Sequence, residues 1–103
     1  MYVHSTMADL YFTWDAAKAR ANIVKHGIAF EESETAFSDE EAILLPDPEH
    51  SAADERFLLI GLSVALRVLV VIHCEPDPSG AIRLISARRA TRSERGQYVA
   101  RWK

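Results

Sequence analysis

The spacing of apolar positions changes along the chain, and those changes predict its elements. Residues 10–14 (LYFTW) are short and aromatic, as in a strand. From Asp15 the spacing lengthens: Trp14, Ala17, Ala21 and Val24 recur at helical intervals, while Lys18, Asn22 and Lys25 line another side. A helix is therefore expected over 15–26, with the Trp14–Val24 row as its apolar face. Asp15 suits the positive end of the helix dipole, and Lys25 and His26 suit the negative end. Gly27 stands where a left-handed cap would end the helix.

Downstream, Phe30 and Phe37 bracket a second, shorter helix over 30–37. Residues 42–45 read as a brief strand stopped by Pro46 and Pro48. A polar loop covers 50–54. Three apolar runs follow at 56–63, 67–74 and 81–89, separated by turns at 64–66 and 75–80, and proximity suggests an antiparallel meander. Thr91-Arg-Ser-Glu94 matches a capping box and predicts a final helix from Arg92 to near Trp102. Residues 1–9 have no period and are expected to be a flexible N-terminal tail, leaving 10–103 as one domain. The class is α+β: a small antiparallel sheet with two N-terminal helices and a C-terminal helix, all on one face.

Composition narrows what such a domain can do. At 103 residues with 49% hydrophobic and 26% charged positions, the chain can bury one modest core but cannot build a barrel or a doubly wound nucleotide enzyme. No apolar run is long enough to span a membrane, and the N-terminus has no signal-peptide core. Cys74 is the single cysteine, so no internal disulfide or Cys-rich zinc site is available, and a reducing cytoplasmic setting is expected. Cys74 reads as buried and inert. No His and carboxylate grouping has metal-ligand spacing, and no cofactor is expected.

The net charge of −3 conceals an asymmetry. Residues 1–55 hold twelve acids against three bases, and residues 56–103 hold three acids against nine bases. Clustered arginine is an electrostatic footprint for phosphate, because the planar guanidinium binds two oxygens and stays charged. The candidates are Arg67, then Arg83, Arg88 and Arg89 on one strand, then Arg92, Arg95 and Arg101 on the last helix. Strand alternation puts Arg83 and Arg89 on one face and Arg88 on the other unless a bulge intervenes. Folding could equally pair these bases with the acidic half. His26 could act as a general base near neutral pH, or merely complete its helix cap. His73 reads more simply as a core residue, and Glu94 as a capping carboxylate. Tyr98 could move a proton or stack on a base, but packing its ring on the sheet is the simpler role.

Several motifs resemble the BrnT family of type II toxins. They are Trp14-Asp15, Lys18, Asn22 and Lys25-His26-Gly27-Ile28 with Phe30-Glu31-Glu32; then Asp54-Glu55-Arg56 and the strand 67–71; then Arg83-Leu84-Ile85-Ser86-Ala87-Arg88, Ala90, Glu94-Arg95 and Tyr98. The resemblance runs from Phe12 to Tyr98. It implies a RelE-like fold and a metal-free ribonuclease that arrests translation and growth. It also implies neutralisation by a BrnA-like ribbon-helix-helix antitoxin, through which alone the toxin meets DNA. On that basis Arg67, Arg83 and Arg88 are expected to bind phosphate and stabilise the transition state. Lys25 or His26 would supply the base and Tyr98 a proton, while Lys18, Arg89, Arg92 and Arg95 would bind RNA. The competing expectation is a non-catalytic module of the same fold that binds the antitoxin and acts only in operon repression.

Overall fold

A computed structural model describes residues 1–7, 9–47, 56–74 and 80–101. The predicted loop 50–54, most of the turn 75–80 and residue 102 lie outside them. The chain runs β1 (Tyr2–Met7), β2 (Leu10–Asp15), α1 (Ala16–His26), α2 (Phe30–Ala36), β3 (Ile43–Pro46), β4 (Arg56–Leu62), β5 (Val68–Cys74), β6 (Ala81–Arg89) and α3 (Arg92–Ala100). Among the described residues no helix is long and apolar enough to cross a membrane.

The six strands form one sheet in the order β1-β2-β6-β5-β4-β3. The predicted meander is present as β4, β5 and β6, and β3 joins β4. Two expectations are corrected. The sheet is mixed, not antiparallel, because β2 runs parallel to β6 through Tyr11–Ala81, Phe12–Ile82 and Thr13–Arg83. This removes the all-antiparallel sheet expected with a RelE-like fold. Residues 2–7, expected to lack regular structure, form a strand antiparallel to β2, with Asp9 in the turn at φ 66°. Lacking a strong hydrophobic alternation, β1 is legible mainly through the partner it pairs with.

The helices do not share one face. One side of the sheet packs Phe12, Trp14, Leu59, Leu69, Val71, Ile82, Leu84 and Ala87 against Ile28, Phe30 and Ala36 of the α1–α2 segment. Ile60 and Val70, neighbours in sequence of Leu59, Leu69 and Val71, point the opposite way and pack with Tyr98 of α3. So α3 lies on the back of the sheet. Gly61 sets how closely α2 approaches the front: a Cβ there would sit 2.8 Å from the Ala36 carbonyl oxygen.

The face of α1 is also corrected. Val24 is 88% exposed and Ala17 and Ala21 are exposed, while Asn22 is the buried residue, with Ala19 packed beside the core. Trp14 belongs to β2 rather than to the helix, so a helical phase counted from it points the wrong way. Asn22 is buried because it is needed. Its Nδ2 donates to the carbonyls of Ile28 (2.9 Å) and Ala87 (2.8 Å), and its Oδ1 accepts from the Ala87 amide at 3.1 Å. Beyond Arg83, β6 has no β2 partner, and this one side chain stands in for the missing strand. The cap after α1 is as predicted: Gly27 is left-handed at φ 72°, and its amide donates to the Ile23 carbonyl.

Candidate functional site

One end of the sheet, where β5 begins and β6 ends, gathers three of the predicted arginines. Arg67, Arg89 and Arg95 line a cleft of about 150 Å³ with Leu66, Val68 and Ala90. Each arrives from a different element. Arg67 precedes β5 in a tight turn whose Leu66 takes φ 62°, and in which the Ser63 amide donates to the Arg67 carbonyl. Arg89 closes β6, and Arg95 sits one turn into α3.

Arg67 is held by the acidic half of the chain. Its Nε donates to Glu32 Oε2 at 3.0 Å, and its Nη2 donates to Glu32 Oε1. Ser63 Oγ donates to the same carboxylate at 2.6 Å. The Arg67 hydrogen bond outweighs the cost of burial and lowers the Glu32 pKa below its usual value. The cross-half pairing anticipated from the charge asymmetry therefore occurs here. Neither Arg89 nor Arg95 makes a salt bridge among the described residues, though the Arg89 charge adds to the lowering of the Glu32 pKa.

The other predicted arginines are elsewhere. A bulge in β6, seen as a register shift opposite Ile72/His73, reverses the expected faces. Ile82 and Leu84 before it and Ala87 after it all point to the front core, so Arg83 and Arg88 share the back while Arg89 points forward. Arg88 makes a two-pronged pair with Glu94 at 2.7 and 2.9 Å. Glu94 also accepts from the Thr91 amide, and Thr91 Oγ1 accepts from the Glu94 amide, completing the predicted capping box. Arg88 holds the Glu94 carboxyl down to about 2. Arg83 directs Nη2 at Cys74 Sγ, 3.5 Å away, and Cys74 is half-buried rather than fully buried as expected. Six residues of strand separate Arg83 from Arg89, about 20 Å. Arg92 is exposed at the first position of α3.

Tyr98 is 1% exposed, and its hydroxyl donates to Asp39, whose carboxylate also accepts from the Leu62 amide. That is the packing role. Lys18 and Lys25 are exposed on α1, and His26 is half-buried in its last turn. The Asn22–Ala87 bonds set that turn over β6, two residues before Arg89. The sequence reading assigned Glu32 and Asn22 no role of their own. A polar residue inside an alanine-rich helix and a carboxylate in the acidic half were the available signals.

His73 lies in the core between rings, its centroid 4.9 Å from that of Phe37 and 6.2 Å from that of Phe57. Burial pushes its pKa down to about 4. An unfolded chain binds a proton there below about 6.5, which the native imidazole refuses. Stability should therefore fall as pH drops from about 6.5 towards 4. The expected loss between pH 7 and 5 is about 2 kcal/mol. Urea midpoints of wild type and His73→Leu check it: the wild-type midpoint should drop over this range, and a variant that drops equally would remove His73 as the cause.

A family model described as "Ribonuclease toxin, BrnT, of type II toxin-antitoxin system" matches residues 14–94. Among solved structures, the chain resembles the ribonuclease toxin BrnT of Brucella abortus, with 33% identity and a TM-score of 0.59 over 77% of this chain and 94% of that one. Comparison with the curated proteins gives no match. Strand β1 and the start of β2 precede the matched span, and the span takes in the whole Arg67–Arg89 end of the sheet, though it stops one residue before Arg95. A type II system implies an antitoxin partner. The chain thus belongs to the BrnT family of ribonuclease toxins of type II toxin–antitoxin systems.

Proposed function

We propose that the chain cleaves RNA in the cytoplasm by metal-free transesterification at the Arg67–Arg89–Arg95 cleft, arresting translation and growth. A BrnA-like ribbon-helix-helix antitoxin would restrain it and carry any contact with DNA. The observation that carries this reading is the convergence of three arginines, two of them without an ion-pair partner among the described residues. RNA supplies its own nucleophile, the 2′-hydroxyl, so the protein must take that proton, stabilise the charge growing on phosphorus and assist the leaving oxygen. Arg89 and Arg95 would hold the phosphate. Arg67, braced by Glu32, would be the fixed edge of the cleft. His26 is our assignment for the base, with Lys25 beside it. Tyr98 is given no part, because its hydroxyl is engaged with Asp39.

The test is to incubate the purified chain with RNA and with its 2′-deoxy counterpart, with and without EDTA. The expected result is cleavage of RNA alone, unaffected by EDTA, leaving 2′,3′-cyclic phosphate ends. Absence of cleavage would return the chain to a binding module. Loss of cleavage in EDTA would retire the metal-free route.

A further inference from the structure

We propose that the outward face of α1 docks an acidic amphipathic helix of the antitoxin. This rests on reading the chain as the toxin of an antitoxin-regulated pair. The three bases of residues 1–55 are Lys18, Arg20 and Lys25, and all of them are on α1, which has no acid of its own. They are arranged about an apolar strip. At about 100° per residue, Ala17 and Val24 project almost together and Ala21 lies about 60° from Val24. Arg20 flanks this strip about 40° beyond Val24, and Lys25 and Lys18 flank it about 40–60° beyond Ala21 on the other side. Val24 is 88% exposed, on the side of the helix away from Asn22 and the sheet, and Ile23, beyond Arg20 on the flank, is 49% exposed.

An apolar seam with cations along both rims fits a partner helix that places leucine-like side chains on the seam and carboxylates outside it. The alanines allow close approach of two helix backbones, and three turns of α1, about 16 Å, match a three-turn partner. RNA fits this face less well. Single-stranded RNA is gripped by cations together with stacking rings, and α1 contains no Phe, Tyr or Trp, its one ring being His26 in the last turn, off this face. Because the buried contacts of α1 are made from its opposite side, substitutions on this face leave the fold intact.

The experiment measures the affinity of the full chain for its cognate antitoxin with Val24→Glu, Arg20→Glu and, as a control, Val24→Leu. Each glutamate variant should weaken the complex at least about tenfold. Val24→Leu should keep it, and RNA cleavage by the free chain should be unchanged in all three. Wild-type affinity in both glutamate variants would overturn the proposal. So would reduced RNA cleavage by Val24→Glu with antitoxin binding intact, which would give the face to RNA. A chain that cleaves no RNA but binds antitoxin in a Val24-dependent way would retire the ribonuclease reading and leave this docking face standing.

Discussion

Replacing Asn22 with alanine should cost about 4 kcal/mol of folding stability, the sum of the three backbone groups it leaves without partners. The Ala87 amide and carbonyl face away from β5, and β2 has already left the edge of β6 at that point. Their partners are the two ends of the Asn22 amide, which also closes on the Ile28 carbonyl just past the Gly27 cap. A buried polar group without a partner costs about 1–3 kcal/mol, and water can reach only some of this site because Asn22 and Ala87 are both buried. Asn22→Asp is a sharper probe. It keeps the acceptor for the Ala87 amide but sets carboxylate oxygen against two carbonyl oxygens, so it should be no more stable than the alanine variant at pH 7. Urea unfolding with an unchanged slope would report both. A loss below about 1 kcal/mol in Asn22→Ala would mean that the helix is held to β6 by its other contacts.

The asparagine also shows where sequence reasoning succeeds and fails. Signals confined to a few neighbouring residues were legible: Gly27 as a left-handed cap, Thr91 and Glu94 as a capping box, the turn before Arg67, and the β4–β5–β6 meander. Each depends on chemistry within one turn or hairpin. The misread features depend on distant chain. The parallel pairing of β2 with β6 joins residues about seventy apart. The period of Ala17, Ala21 and Val24 points to a buried face that the structure exposes, because the force that seats the helix is the backbone hydrogen-bonding need of a strand 65 residues away. One extra residue in β6 exchanged the companion of Arg83 from Arg89 to Arg88. The candidate site was legible as a set of arginines but not as a place, since Glu32 and Arg67 meet across 35 residues.

Arg89→Ala and Arg95→Ala should each lower RNA cleavage about 100-fold, and Arg83→Ala should change it less than about threefold. The difference follows from position. A phosphorane carries more negative charge than the diester it comes from, so a guanidinium held against it gains strength in the transition state and appears in kcat. Arg89 and Arg95 line one cleft and make no salt bridge among the described residues; Glu32, the carboxylate that feels the Arg89 charge, is hydrogen-bonded to Arg67. Arg88 is occupied by Glu94 on the opposite face, so Arg88→Ala should act through the start of α3, lowering stability more than turnover. Arg67→Ala removes a cation but also strands the Glu32 carboxylate beside the cleft, so Arg67→Ala paired with Glu32→Gln isolates the cation's contribution. Single-turnover cleavage at saturating RNA, with urea midpoints for each variant, distinguishes these outcomes. A loss in Arg83→Ala equal to that in Arg89→Ala would move the chemistry about 20 Å along β6, to the face shared by Arg83 and Cys74.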